Sequence, residues 1–360
     1  MGAAAWPQEG DHMKAAVLYG DNDIRYEDWE TPTAGAGEVL VKVKESGLCG
    51  SDIPRTIHSG AHFYPIVLGH EFSGEITAVG EGVTQRKVGD RISCVPLIPD
   101  MKDPQSQKGN YSLSKGYKFI GSRIQGGWAE YVVMPWENAV VLPDSVSYTE
   151  GAFFEPITVA LHALNIMNFE GGKDVAITGM GTIGLLALQC VRAMGARKIT
   201  VFDIDNSRLE LAKELGADLC LNTLEEGFKD EAMAFTDGNG YEVCLETGGV
   251  PITEILCLEL AAPKGTVMYV GTPHKPVTMQ PDEFEWINRK ELIVTGSWMN
   301  YSAPFPGWEW EMANYLFSKD MVKTDQLIDR KIPLSQAASA VADLLVPGAV
   351  KGKILFDCEK

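Results

Sequence analysis

The stretch DVAITGMGTIGLLALQCVRAMGA at residues 174–196 constrains this chain more than any other. An apolar run of strand character enters a turn with glycine at 179, 181 and 184, and an apolar helical pattern follows at once. Each glycine has a physical reason for its place. Gly179 permits a tight turn, Gly181 lets the backbone approach a pyrophosphate, and Gly184 lets the helix pack closely on the strand. Thr182 and Ile183 lie in the same turn, where free N–H groups at a helix N-terminus face phosphate oxygens. The next strand-like run ends in VFDID and places Asp203 24 residues after Gly179. A carboxylate there accepts hydrogen bonds from both ribose hydroxyls of NAD and repels the 2′-phosphate of NADP. Arg208 follows closely enough to flank the adenosine. The plain alternative is a nucleotide-free α/β domain in which Asp203 caps a helix.

The same rhythm continues through KITVFDIDNSRLELAKELGAD, YEVCLETGG and GTVMYVGT. Strands alternating with helices imply βαβ units and a parallel, doubly wound sheet. Val270 and Gly271 close the last of these runs, at the strand ends where such sheets bind ligands. From Met13 to about residue 155 the pattern is different. Short alternating runs such as EVLVKVKESG, EFSGEITAVGEGV and GDRISCVPLIP are punctuated by Gly and Pro, which suggests a β-rich, barrel-like domain. After about residue 295 come an aromatic-rich loop, a helix and a final strand, GKILFDC. The chain therefore reads as three parts. Residues 1–12 are a leader or tag, expected to be disordered; 13–160 with 296–360 form the barrel-like domain; 161–295 form the nucleotide domain.

With 360 residues, 45% of them hydrophobic, there is material for two cores. The net charge of −18 disfavours nucleic acid and anionic membranes as partners. A phosphorylated substrate would need a local cluster of Lys or Arg working against that field. The seven cysteines are odd in number, form no CxxC and lie mostly in apolar runs, as expected of reduced thiols in a cytoplasmic protein. No signal peptide opens the chain, and no run has the character of a membrane span.

Three further stretches carry metal-type side chains: SGLCGSD with Cys49, LGHEFSG with His70 and Glu71, and FFEPITVALHA with Glu155. Taken singly, each is ordinary core packing. Taken with the glycines of GHEFSGEITAVGEGV, the VGD at 88–90, the GxGxxG and the terminal GKILF, they resemble the zinc-dependent medium-chain dehydrogenases, the superfamily of alcohol and sorbitol dehydrogenases. The resemblance runs from Met13 to about Phe356. Within its polyol branch, SGLCGSDIPRTIHSGAHFYPIVLGHEFSG, EPITVALHA and GSWMNYSAPFPGWEWE closely resemble the galactitol-1-phosphate 5-dehydrogenases. It implies an α/β protein with a GroES-like β-barrel catalytic domain and a Rossmann domain, NAD as cofactor, one catalytic zinc per chain, and a homo-oligomer, dimer or tetramer.

The resemblance also implies roles. Cys49, His70 and Glu155 match the catalytic zinc ligands, and Glu71 either binds zinc directly or exchanges with water. Ser51 matches a proton-relay hydroxyl, and Asp52 is placed to hydrogen-bond the far nitrogen of His70. Glu155 can also take or give a proton. Val270 and Gly271 meet the nicotinamide carboxamide through backbone. Asn300 and Tyr301 fall where relatives line the substrate pocket, His62 before the GHE motif is a candidate for another pocket wall, and Arg55 is one candidate contact for a substrate anion. Relatives hold a second, structural zinc on Cys-x2-Cys-x2-Cys-x7-Cys. Here Asp100, Asp103, Ser106 and Ser114 occupy those positions. They cannot build a sulfur tetrahedron, so the lobe is expected without its metal, held by other contacts or mobile.

The implied reaction interconverts a secondary alcohol and a ketone on a sugar alcohol or its phosphate. Free sorbitol or xylitol, and L-threonine, are the alternatives within the class. A zinc-free quinone or enone reductase has no use for Cys49, His70 and Glu155. A non-catalytic nucleotide-binding protein is the alternative outside the class.

Overall fold

The computed structural model describes residues 10–360. They form two compact units. The nucleotide unit comprises Pro156–Asn300 and Lys319–Gln326. Its sheet has the spatial order Leu219–Asn222, Lys198–Asp203, Asp174–Thr178, Tyr241–Glu246, Ala261–Tyr269 and Ile293–Gly296. Every pairing is parallel. Counted along the chain this is 3-2-1-4-5-6, so the order reverses between Asp174–Thr178 and Tyr241–Glu246. Ligands of doubly wound sheets bind at that reversal. Asp174–Thr178 is buried at all five positions, as a central strand covered on both faces must be. Helix Thr182–Ala193 follows it and buries Leu185, Leu186, Leu188 and Val191.

The catalytic unit takes in the described residues through Glu155, with Tyr301–Ser318 and Leu327–Lys360. Strand Glu38–Gly47 is central to its seven-stranded sheet, pairing with Phe72–Val79, Tyr131–Pro135 and Lys353–Asp357. The hairpin His12–Gly20 and Asp23–Glu30 joins the short strand Ile66–Val67 in a second sheet. Between these sheets lies a core that includes Val41, Val43, Leu68, Phe72, Trp128 and Phe356. The short alternating runs are thus the strands of the GroES-like barrel.

Some boundaries differ from those expected. Asn300 donates from Nδ2 to the Thr158 hydroxyl at 2.8 Å, which holds the ends of 156–160 and 296–300 in the nucleotide unit. Lys323 and Gln189 exchange hydrogen bonds of 2.7 and 3.1 Å, which hold Lys319–Gln326 there too. At the chain start, Thr31 N–H donates to the Asp11 carbonyl and the first strand begins at His12. Main-chain pairing therefore draws Asp11 and His12 into the hairpin, not into a leader. The rest of the expected leader, residues 1–9, lies outside the described residues.

Candidate functional site

Strand register assembles the metal-type group. Glu38–Gly47 and Phe72–Val79 are antiparallel, with Ser46 opposite Phe72, and Gly47 N–H donates to the Glu71 carbonyl at 2.6 Å. Cys49 just beyond one strand therefore meets His70 and Glu71 just before the other. Ligand atoms of Cys49, His70 and Glu71 lie within 4.8 Å of one another. Gly69 makes the approach possible. Its φ is +94°, and a Cβ there would stand 2.3 Å from Cδ1 of the buried Trp128. Only glycine satisfies both demands.

A carboxylate buried as deeply as Glu71 needs a partner. Lys353 Nζ donates to its two carboxylate oxygens at 2.6 and 2.8 Å. Burial opposes charge on Lys353, yet Glu71 and then Cys49 hold its ammonium above the usual lysine range. Lys353 is the functional-site residue that sequence reasoning missed, although GKILF contains it. Glu155, in the first turn of helix Phe154–Ile166, is buried but stands outside the 4.8 Å group. Its charge is still felt by Lys353 and Tyr301.

Around this group the polar contacts are specific. Ser51 Oγ donates to Cys49 Sγ at 3.3 Å. Asp52 is fully buried, and its Oδ2 accepts from the Cys49 N–H at 3.1 Å. The hydrogen bond expected from His70 to Asp52 is not formed. Nδ1 and Oδ1 stand 3.5 Å apart, an ion-pair contact, because Asp52 is also held by Cys49 and by Arg55 at 3.2 Å. Burial disfavours a charged His70, but Asp52 and Cys49 raise its imidazole well above the usual histidine range. Against its own burial, Asp52 is held below the usual carboxylate range by His70 and Arg55. One thiol, one imidazole and one carboxylate at this spacing are a donor set that suits zinc.

In the nucleotide unit Gly179 has φ +86°, and a Cβ on Gly184 would meet the Gly179 carbonyl at 1.8 Å. Gly181 caps helix Thr182–Ala193 and has open space where a Cβ would stand. Thr182 and Ile183 form the first turn of that helix. Asp203 ends its strand nearly buried. It accepts backbone N–H groups from Met180 at 2.6 Å and from Ile204 and Asp205, with Arg208 at 3.9 Å. Val270 and Gly271 both donate N–H to the Glu246 carbonyl, which fixes the end of the adjacent strand.

The candidate substrate residues separate. His62 is exposed. Asn300 and Tyr301 are turned inward: Asn300 is held by Thr158, and the Tyr301 hydroxyl accepts from Leu97 N–H at 3.2 Å between the rings of Phe305 and Trp310. Both side chains are buried.

In the lobe, Asp103 caps helix Pro104–Gln107 through Gln105 N–H at 2.7 Å and also accepts from Lys115 N–H. Asp100 accepts from Lys102 N–H at 3.0 Å. Ser106 and Ser114 are buried, and Tyr111 packs edge-on to Phe305. Caps and ring packing thus hold the segment in place.

Comparison with known proteins agrees with this anatomy. Residues 35–144 match the alcohol dehydrogenase GroES-like domain, and residues 182–314 match the zinc-binding dehydrogenase family. Galactitol 1-phosphate 5-dehydrogenase of Escherichia coli K12 is 44% identical over 96% of this chain and 99% of its own. A crystal structure of the Escherichia coli enzyme covers 96% of this chain and all of its own, with a TM-score of 0.91 and 43% identity. Two solved structures differ in cofactor. A zinc-binding dehydrogenase of Sinorhizobium meliloti bound to NADP has a TM-score of 0.87 and 29% identity over 96% of this chain and 99% of its own. An alcohol dehydrogenase of Escherichia coli CFT073 complexed with NADH has a TM-score of 0.87 and 28% identity over 97% of this chain and all of its own. A Cys–His–Glu group on a GroES-like barrel, a 3-2-1-4-5-6 nucleotide sheet and this degree of likeness place the chain in the zinc-binding medium-chain dehydrogenase family, in its polyol dehydrogenase branch.

Proposed function

We propose that the chain interconverts a secondary alcohol and a ketone on a sugar-alcohol phosphate of the galactitol 1-phosphate type, using zinc and NAD. The observation that carries this reading is the Cys49–His70–Glu71 group, in a chain that also has a dinucleotide-type sheet. When bound, zinc supplies a Lewis acid for the alcohol and NAD supplies the hydride acceptor.

The chain's own residues do the rest. Cys49 and His70 would hold the metal through thiolate and imidazole. With Nδ1 of His70 turned to Asp52, Nε2 is left for the metal. Glu71 and Glu155 supply the carboxylate, and Lys353 competes with the metal for Glu71. Glu155 can also take or give a proton. Ser51 is exposed beside Cys49 and can pass a proton outward from the substrate hydroxyl. Asp52 orients His70. At Gly179–Gly184 the helix N-terminus would receive phosphate oxygens, Val270 and Gly271 would offer backbone to the nicotinamide carboxamide, and Asp203 would favour a ribose with free hydroxyls. Relatives carry either cofactor, so NAD rests on the Asp203 carboxylate.

One zinc per chain belongs to this reading, because Asp100 and Asp103 are engaged by backbone N–H groups and Ser106 and Ser114 are poor zinc ligands. A homo-oligomer belongs to it by analogy. The reducing cytoplasm also belongs to it, and seven free thiols favour that compartment. Among the described residues no helix is long and apolar enough to cross a membrane. An NAD-reduction screen over polyol phosphates, free polyols, L-threonine and simple alcohols tests the assignment. Turnover confined to simple primary alcohols or to threonine overturns it.

A further inference from the structure

A net charge of −18 opposes the binding of a phosphate ester, so a phosphorylated substrate requires a local excess of cations. The catalytic unit contains one near the Cys49–His70–Glu71 group. Arg55 lies in helix Ile53–Ile57, and its Nη1 donates to the Ser51 carbonyl at 2.6 Å, to Ser51 Oγ at 3.1 Å and to Asp52 at 3.2 Å. Those bonds fix the guanidinium to the loop that carries Cys49. Among the described residues its Nε and Nη2 hydrogens have no acceptor.

Arg123 comes from a distant part of the chain. Its guanidinium lies 4.1 Å over the Tyr117 ring and donates to the Tyr117 carbonyl and hydroxyl, both at 3.3 Å. Tyr117 meets Phe119 edge-on at 6.5 Å, and Phe119 meets His70 at 5.7 Å. A ladder of rings therefore runs from His70 outward to Arg123. Partial desolvation, then the charges of Arg123 and Arg55, hold the His62 imidazole below the usual histidine range, so His62 lies within the field of both arginines. Among the described residues, no carboxylate is within ion-pair distance of Arg123 or His62. The carboxylate on Arg55 is Asp52, which also faces His70.

Two guanidiniums thus share a region in which the paired carboxylate is Asp52, and the His62 imidazole adds a polar group beside them. Guanidinium forks match the oxygens of a phosphate and donate to them in pairs. We propose that Arg123, Arg55 and His62 bind the phosphate of a polyol phosphate whose reacting hydroxyl lies at the Cys49–His70 end of the ring ladder. The proposal rests on the polyol-phosphate reading given above. A free polyol offers these guanidiniums only neutral hydroxyl acceptors, which bind them more weakly than a phosphate, so the cluster sets the preference for ester over free alcohol.

The test compares kcat/KM for galactitol 1-phosphate and for galactitol in the wild type, Arg123→Gln and Arg123→Lys, each first checked for zinc content and NADH binding. A calorimetric titration with inorganic phosphate, with NADH present to fill the dinucleotide site, runs alongside. Arg123→Gln is expected to lower the ester-to-alcohol ratio roughly 10- to 100-fold, the range for hydrogen bonds to charged groups. Arg123→Lys should restore part of it, since lysine keeps the charge but not the fork. If the wild type uses the ester well and Arg123→Gln leaves the ratio unaltered, the cluster has no such role and the polyol-phosphate reading stands. If the wild type turns over no polyol phosphate, that reading falls and the titration decides the cluster alone. Weaker phosphate binding in Arg123→Gln supports an anion site, and identical binding in both proteins overturns it.

Discussion

Glu71 and Lys353 form a buried ion pair, 2.6 and 2.8 Å from ammonium to the two carboxylate oxygens, inside the group that contains Cys49 and His70. The pair joins residues 282 positions apart in the chain. It gives one candidate metal ligand a partner of opposite charge. Removing the ammonium while leaving the carboxylate strands a buried charge.

Lys353→Met is therefore expected to cost about 3–5 kcal/mol of stability, the usual effect of breaking a buried pair from one side. Chemical unfolding measures it. The double variant Lys353→Met with Glu71→Gln should recover a large part of the loss, because the stranded charge is gone. Additive losses in the double variant would show that the two residues are not coupled.

Cys49→Ala should abolish bound zinc, since a thiolate is the strongest single anchor in the group. Elemental analysis of protein purified without added metal should give close to one zinc per wild-type chain and close to none in the variant. NADH fluorescence should still report dinucleotide binding in the variant, because the nucleotide unit is a separate compact body. Two tightly held zincs per wild-type chain would contradict the assignment of Asp100, Asp103, Ser106 and Ser114 as a metal-free lobe.

Gly69→Ala tests whether backbone geometry places His70. A Cβ would collide with Trp128, and the φ of +94° is strained for alanine. Zinc content and stability should fall together. Trp128→Ala at the same contact should cost roughly 3–5 kcal/mol, as for other fully buried aromatic residues. A Gly69→Ala protein with full zinc content would show that the loop adapts.

Asp203→Asn should narrow the preference for NAD over NADP by about tenfold or more, equivalent to about 1.4 kcal/mol. The amide keeps one oxygen for the Ile204 and Asp205 N–H groups and gives up the acceptor on Met180, and it removes the charge that repels a 2′-phosphate. Catalytic efficiencies with both cofactors decide it. A wild type that already prefers NADP would overturn the role given to Asp203.

Ser51→Ala should reduce turnover on the order of 100-fold while zinc and NADH remain bound, because it removes a proton carrier and no ligand. Single-turnover kinetics distinguish this from slow product release. Unchanged hydride transfer would remove Ser51 from the relay.

Much of this protein was legible in the sequence because the information was local. The glycines at 179 and 184 stand where a positive φ and a 1.8 Å approach demand them, so GxGxxG with its flanking strand and helix specified the turn and the sheet class. Cys49, His70 and Glu71 were legible because short motifs flank two strands that pair. Other features arise only when distant segments meet. The burial of Asn300 and Tyr301, for example, depends on contacts with Thr158, Leu97, Phe305 and Trp310. The Asp52–His70 contact was foreseeable as a pairing, but its 3.5 Å length reflects the other donors that hold Asp52. The bond between Lys353 and Glu71 had no sequence signal beyond a terminal strand motif. The grouping of Arg123 with Arg55 and His62 likewise depends on the fold, through the ring ladder from Tyr117 to His70. Backbone conformation and period are short-range properties and can be read along the chain. Charge pairing and burial are set by tertiary proximity, and in this protein they pair Glu71 with Lys353.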